Sequence, residues 1–265
     1  MRYLTMVGCK TLPMPTASLY LRIVVLGILR LSPEAEAGLC QGAAIPAYFY
    51  PGALWTTSIA SVPRTAIMIM NPDSGPGASK DANYVSAVNA AQAAGIKVLG
   101  YVHTNYGSRP ISQVQTEINL YKRWYGVDGI FLDQTAPSAT DLAYYQSLAS
   151  YIRGRNNSFV MLNPGVIPDQ RYVTLADTTV VFEQSYAAYR TWVPPSWIHD
   201  YPAAKFTHLV HTTTTSAQMA SAIELSRSRN AGLVYVTHDI PTNPWDSLPI
   251  YWQTELITLT TKCPS

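Results

Sequence analysis

The sequence predicts an α/β protein that folds as a single-domain (β/α)8 TIM barrel, because strand-like and helix-like segments alternate along it. Eight short runs rich in Val, Ile, Tyr and Phe have the length of strands. They cover residues 45–50, 66–70, 98–104, 129–133, 159–163, 179–183, 206–212 and 233–237. Eight strand–helix units within residues 38–265 match this barrel, which spans roughly 200 to more than 400 residues.

Apolar side chains three and four residues apart predict helices between the strands. The clearest segments are 82–94, 111–125, 142–152, 216–230 and 249–261, whereas the helices after the first and sixth strands are poorly defined. Gly95 and Gly232 are expected at helix C-termini, where glycine is common. A doubly wound open sheet is the architectural alternative. No G-x-G-x-x-G follows the first strand, so its dinucleotide-binding version lacks support.

Residues 1–37 are predicted to be a signal peptide or leader, with residues 38–265 as the folded domain. An apolar run at 23–29 precedes the small residues of AEA at 35–37, which match a cleavage site. The run is far shorter than the roughly 20 apolar residues of a membrane-spanning helix. We therefore expect a secreted protein, free or cell-wall associated, without membrane contact after leader removal. An uncleaved anchor and a true start at Met14 are the alternatives.

The charge balance argues against a nucleic-acid partner. The chain carries 18 Lys+Arg and 16 Asp+Glu, only 13% of its residues. The leader holds four of the basic and two of the acidic residues, which leaves 14 of each and no net charge. Binding to phosphates needs a dense basic stripe. A charge-poor, tyrosine-rich surface suits neutral, hydroxylated partners, and a monomer is expected.

The cysteines predict one disulfide. Cys9 lies in the leader, so Cys40 and Cys263 form an even pair near the two ends of the domain. In a secreted chain such a pair is read as a disulfide. Joining them requires the termini to meet, as they do in a closed barrel.

Polar residues follow the apolar runs where strands of a barrel meet at the catalytic face. Alternation along the fourth run puts Asp133 on the face of Phe131, and Glu183 shares parity with Val181. Most other carboxylates fall on helices, in loops or at the opposite strand end, which leaves Asp73, Asp239 and Asp246 as outer candidates. The expected substrate-binding residues are Tyr48, Tyr50, Asn71, Tyr101, His103, Gln134, Tyr186, His238 and Asp239.

Two carboxylates facing each other across a polar cleft are what glycosidic bond hydrolysis requires. One protonates the leaving oxygen, and the other stabilises or attacks the developing oxocarbenium carbon. The structural alternative is that Asp133 is a buried charge paired with Arg109 or His103. Under this alternative Glu183 is likewise a buried group that stabilises the fold. Neither acid alone is specific, so the prediction depends on their joint position.

The sequence gives less support to metal, redox and serine hydrolase chemistry. His208 and His211 are three apart on a strand and point to opposite faces, which is poor for a shared metal. No H-E-x-x-H, C-x-x-C or G-x-S-x-G occurs, which leaves zinc protease, redox and serine hydrolase chemistry without a motif. We expect no metal and no cofactor.

Several strings together resemble the spherulin 4 family: IPAYFYPG at 45–52, NPDSGPG at 71–77, VLGYVHTNYG at 98–107, VDGIFLD at 127–133, NPG at 163–165 and FE at 182–183. The likeness runs in order through nearly the whole domain. It implies a (β/α)8 barrel similar to glycoside hydrolase family 135. It also implies an endo-acting enzyme that cleaves galactosaminogalactan at α-1,4-linked N-acetylgalactosamine.

The resemblance implies that Asp133 and Glu183 are the catalytic carboxylates and that Asn163 binds substrate or orients a catalytic group. Gln134 departs from the family pattern, in which this position is often acidic. We expect Glu183 as general acid, because a carboxyl in an apolar run can hold a raised pKa, with Asp133 as nucleophile or base. The functional alternative is a non-catalytic cell-wall or spore-coat protein that binds glycan. A metal-dependent deacetylase is a third reading.

Overall fold

The computed structural model describes residues 41–156 and 158–261, and there the predicted barrel is confirmed. Eight parallel strands close into a ring in chain order. They are β1 (Gly42–Ala47), β2 (Thr65–Met70), β3 (Lys97–His103), β4 (Gly129–Asp133), β5 (Phe159–Leu162), β6 (Thr178–Ser185), β7 (Phe206–His211) and β8 (Leu233–Val236). Pairing of Gly42 with Leu233 and of Ala43 with Val234 closes the ring between β1 and β8.

Seven α-helices surround the strands in the described part of the chain. They are α1 (Ala53–Ile59), α2 (Ala82–Ala93), α3 (Ile111–Tyr125), α4 (Leu142–Arg153), α5 (Tyr186–Thr191), α6 (Ser216–Ser228) and α7 (Trp252–Thr260). The fifth strand is followed by a 3-10 helix, Gln170–Thr174, in place of an α-helix. That connection contains Pro164, Gly165 and Pro168, and these residue types disfavour a longer helix.

The predicted leader, residues 1–37, and the predicted Cys40–Cys263 disulfide lie outside the described residues, so both stay predictions. Within residues 41–156 and 158–261, no helix has the length and apolar character that crossing a bilayer requires.

The first strand begins and ends three residues earlier than its apolar run predicts, at Gly42–Ala47 instead of 45–50. Ala43 and its small neighbours pair with both β2 and β8, so strand pairing extends the strand backwards. Tyr48 and Tyr50 consequently lie beyond the strand end. The strand therefore does not set the direction of these two side chains.

One of the two predicted C-terminal glycines is wrong. Gly95 adopts a left-handed φ of 89° after α2, but after α6 the left-handed residue is Asn230, with φ 60°. Gly232 has another role, because a Cβ there would lie 2.8 Å from the backbone of Ala203. It permits a close approach of two chain segments.

The helical stripes pack as their spacing predicts. The barrel-facing side of α3 buries Val114, Ile118, Tyr121 and Tyr125. Gly100 on β3 makes room for this packing, since a Cβ there would lie 2.5 Å from the ring of Tyr121. The missing side chain therefore brings helix and strand close together.

Replacing Gly129 with alanine is expected to destabilise the protein by about 3 kcal/mol. A Cβ there would overlap the backbone carbonyl of Phe159 on β5, and this atom is held by strand pairing. Gly126→Ala is the matched control. Its φ is 64° and no atom would lie within 4 Å of the new Cβ, so the cost is about 1 kcal/mol of backbone strain. Denaturant unfolding measures both variants, and equal losses would contradict the packing argument.

Candidate active site

Three polar side chains from neighbouring strands meet at the C-terminal mouth of the barrel. Asp133 ends β4, Asn163 directly follows β5, and Glu183 lies near the end of β6. Asn163 Nδ2 donates hydrogen bonds to Asp133 Oδ1 at 2.8 Å and to Glu183 Oε2 at 2.6 Å. One amide group therefore bridges the two acids.

The shared amide limits the distance between the carboxylates. Because both oxygens bond to one nitrogen, they lie at most 5.4 Å apart, the sum of the two bond lengths. Carboxyl pairs of retaining glycosidases are about 5–5.5 Å apart and those of inverting enzymes about 6.5–9.5 Å. The upper bound on the separation of the two bridged oxygens falls within the closer of these ranges.

Backbone hydrogen bonds hold the bridging residue in place. The N–H of Asn163 donates to Leu132 O on β4, and its carbonyl accepts from Thr135 N, both at 2.9 Å. Gly165 then takes a left-handed φ of 67°, and its carbonyl accepts from Glu183 N at 3.0 Å. The segment after β5 is thus tied to both acid-bearing strands.

Protein groups hydrogen-bond both oxygens of the buried Asp133 carboxylate. Tyr101 donates its hydroxyl to Asp133 Oδ2 at 2.7 Å, so each carboxylate oxygen has a donor. Burial raises the pKa of Asp133 above its ordinary value. The hydrogen bonds from Tyr101, from the backbone of Gln134 and from Asn163 oppose this rise.

Glu183 is the more strongly perturbed acid. Burial, with a further contribution from the negative charge of Asp133, raises the pKa of Glu183 to about 7. Hydrogen bonds from Asn163 and from the Trp245 side chain act in the opposite direction. Glu183 can therefore hold a proton at a pH where Asp133 is ionised.

The acids face an open cavity of about 450 Å³, a size common for small-molecule sites. Four sequence-predicted site residues line it: Asp133, Gln134, Asn163 and Glu183. The other lining residues were not among the expected site residues: they are Tyr106, Pro164, Gly165, Val166, Gln184, His211, Pro241, Thr242, Pro244 and Trp245. Tyr106 and the NPG segment lie within the family strings, whereas nothing in the sequence singles out the walls at 241–245.

Three more predicted residues lie close to the acids without lining the cavity. Tyr101 contacts Asp133 directly, and its ring packs edge-on against Tyr48 with centroids 5.5 Å apart. His103 is the register partner of Asp133 between β3 and β4. Tyr101 thus connects Tyr48 to Asp133, and His103 lies beside Asp133 on the neighbouring strand.

Two predicted residues are held by their own loops instead. Asn71 Oδ1 accepts from the N–H of Gly75 at 3.1 Å, which closes the loop after β2. Tyr50 is exposed, and its hydroxyl donates to Asp81 at 2.9 Å, at the start of α2. Neither lines the cavity, because local hydrogen bonds direct both side chains elsewhere.

Tyr186, His238 and Asp239 also lie outside the cavity lining. Tyr186 starts α5 and packs partly against the core. Asp239 accepts from Ser247 Oγ at 2.5 Å and lies 3.4 Å from His238 Nε2. These contacts fold the connection between β8 and α7, which carries Trp245, so their visible role is to shape a cavity wall.

No lysine or arginine within the described residues pairs with either acid. Arg109, the proposed structural partner of Asp133, instead forms an ion pair with Glu117 on α3. The salt-bridge alternative for Asp133 through Arg109 is therefore wrong. The positive charge is neutralised away from the cavity, which helps keep both carboxyl pKa values high.

The two histidines of β7 lie on opposite faces. His208 is buried against α5, where its Nδ1 contacts the Tyr189 hydroxyl at 2.6 Å, and burial lowers its pKa to about 3. His211 lines the cavity beside Trp245. Among the described residues, no three His, Cys, Asp or Glu side chains are grouped to hold a metal ion.

Comparison with known proteins finds a curated relative by sequence and solved structures with a similar fold. A curated relative, Spherulin-4 of Physarum polycephalum, is 38% identical over 210 residues, which are 73% of this chain and 62% of that protein. The structure of Aspergillus clavatus Sph3 in complex with GalNAc matches with a TM-score of 0.74 at 27% identity, over 85% of this chain and 99% of that one. The Bacillus cereus spore cortex-lytic enzyme SleL shares the fold, with a TM-score of 0.53 at 10% identity over 83% and 74% of the two chains.

The sequence profile described as spherulation-specific family 4 matches residues 42–258, from the first strand to the last helix. This match covers most of the chain and agrees with the 38% identity to Spherulin-4. The chain belongs to spherulation-specific family 4, the spherulin 4 family.

Proposed function

We propose that this protein is an endo-acting glycoside hydrolase. Its substrate is an N-acetylgalactosamine-containing polysaccharide, similar to galactosaminogalactan, which it cleaves at α-1,4 linkages. The observation that carries the proposal is the Asn163 bridge, which holds one carboxylate oxygen of Asp133 and one of Glu183 at most 5.4 Å apart beside an open cavity. The GalNAc bound to the similar Sph3 supports an amino-sugar glycan. The expected leader at 1–37 supports action outside the cell, free or at the wall.

The hydrogen bonds and burial support different roles for the two acids. Asp133 receives donors on both oxygens, which favours its anion, whereas Glu183 lies beside that anion with a pKa of about 7. The pair therefore carries one proton below neutral pH, and the proton resides on Glu183. This is the separation of pKa values that acid–base catalysis needs.

The reaction follows from this distribution. Glu183 protonates the glycosidic oxygen as the bond to the anomeric carbon breaks, and Asp133 attacks that carbon to form a glycosyl-enzyme intermediate. Glu183 then removes a proton from the water that releases the sugar. In an α-linked substrate the 2-acetamido group lies on the leaving-group side and cannot attack from behind. A protein nucleophile or an activated water is therefore needed. The close approach of the two bridged oxygens favours the protein nucleophile and retention of configuration.

The first test is hydrolysis of galactosaminogalactan by the purified protein, followed by chromatography of released oligosaccharides. Asp133→Asn and Glu183→Gln should each lower kcat by about 10²–10⁴-fold, since each removes a group that acts in the transition state. Glu224→Gln, on the outer surface of α6, is the control and should match the wild type. Addition of a chelator should change nothing.

The outcomes separate the alternatives. Binding of the polymer without products at any pH would favour a non-catalytic wall or coat protein. Full activity in both acid variants would contradict the site assignment. Loss of activity with chelator alone would point to the deacetylase class or another metal-dependent reaction.

The pH profile tests the proton assignment. Because the pKa of Glu183 is raised, its proton is present below about pH 7 and lost above it, so kcat/KM should fall as pH rises through about 7. At low pH, protonation of Asp133 should produce a second decline that begins above the ordinary aspartate range. A profile that rises through neutral pH would reverse the roles.

Two single substitutions should shift the acidic and alkaline limbs of the pH–activity profile differently. Tyr101→Phe removes a donor from Asp133 only, so the acidic limb should shift upward while the alkaline limb stays. Asn163→Ala removes a donor from both acids, so both limbs should shift upward, and kcat should fall about 10²-fold as the geometry loosens. Identical shifts in both variants would contradict the separate networks.

A further inference from the structure

The connection between β3 and α3 carries a tyrosine that the proposed mechanism does not use. Tyr106 is 59% exposed and lines the cavity together with Asp133. Its side chain makes no hydrogen bond or ring contact with any other described residue. Tyr50, which is 58% exposed, instead has a hydroxyl bonded to Asp81.

The backbone holds Tyr106 in a strained position. Asn105, Tyr106 and Gly107 have consecutive left-handed φ values of 47°, 53° and 83°, and such a conformation costs a non-glycine residue about 1 kcal/mol or more. The N–H of Tyr106 donates to Gln134 O at 2.8 Å, and Thr104 Oγ1 donates to the same carbonyl at 2.7 Å. The ring is therefore presented by a segment fastened to the residue that follows Asp133.

Tyr106 and Trp245 approach the cavity from different strands of the barrel. Tyr106 lies between β3 and α3, and its N–H donates to Gln134 O after β4. Trp245 follows β8, its carbonyl accepts from Tyr48 N, and its side chain hydrogen-bonds Glu183. Both residues line the cavity. Asp133 and Glu183, near the ends of β4 and β6, line the same cavity. A glycan that fills this cavity therefore meets both acids and Tyr106.

The cavity walls are suited to the neutral face of a sugar ring. Val166, which is 53% exposed, adds a second apolar surface to the lining. No lysine or arginine is among the lining residues. A rigid aromatic face with its hydroxyl free offers a large contact area and loses little side-chain entropy on binding.

We infer that Tyr106 is a sugar-stacking residue that binds a ring of the glycan chain other than the one being cleaved. It thereby gives the site a preference for long chains over single sugars. This inference rests on the proposed function for its ligand class. The ring provides the contact and the hydroxyl is dispensable.

The experiment measures binding separately from cleavage, in a Glu183→Gln background. Calorimetry compares free N-acetylgalactosamine with long α-1,4-linked N-acetylgalactosamine oligosaccharides. Adding Tyr106→Gly should weaken binding of the long oligosaccharide about 3- to 10-fold and leave the monosaccharide unchanged. Adding Tyr106→Phe should change neither. Glycine accommodates the positive φ at this position, so the loop conformation is preserved, and thermal unfolding verifies the fold of each variant.

The results distinguish the two proposals. Equal affinity of Tyr106→Gly for both ligand lengths, equal losses for both, or no glycan binding by any variant would overturn the stacking role. Length-dependent loss together with no hydrolysis by the wild type would support stacking and refute the hydrolase proposal. In the active enzyme, Tyr106→Gly should raise KM for polymer while kcat changes less than twofold, and the reverse pattern would place Tyr106 in the chemistry.

Discussion

The amide of Asn163 lies between two carboxyl groups, and the chemistry of the barrel mouth depends on this one contact. Burial raises the pKa of both carboxyl groups, and the negative charge of Asp133 raises the pKa of Glu183 further. An NH2 group supplies two donors directed apart, so it can bind both acids without adding a charge. A cation in its place would stabilise both anions and lower the pKa of Glu183. Glu183 would then lose the proton that the proposed acid catalysis needs. A neutral bridge keeps the two carboxyl groups close together while their pKa values remain different.

The bridge depends on strand register. Asp133, Asn163 and Glu183 come from three consecutive strands, and backbone bonds tie the segment after β5 to both neighbours. A slip of one residue in any of these strands would turn a side chain to the opposite face. The glycines at positions 129 and 165 contribute because one allows close strand approach and the other a left-handed turn. Packing below the site therefore sets the distances within it.

The low content of charged residues matters at this site because neither acid is paired with a lysine or arginine within the described residues. Arg109, the cation considered as a partner for Asp133, is bound to Glu117 outside the cavity lining described above. Asp133 relies on the hydroxyl of Tyr101 and on amides, which stabilise an anion less than a guanidinium does. Both acids thus retain raised pKa values. Gln134 takes part through its backbone, which bonds to Asp133 and fastens the loop of Tyr106, and this role does not require an acidic side chain.

The sequence alone determined the eight strands, the buried stripe of α3 and the two acids on the inner face. Each of these follows from a local period of two or about 3.6 residues. Local patterns failed where long-range contacts decide the outcome. Pairing with β8 moved the first strand, and a close approach to Ala203 explains Gly232. Only the tertiary structure decided that one amide bridges the acids and that Tyr106 and Trp245 line one cavity, because these groups are distant in sequence and meet only when the barrel closes.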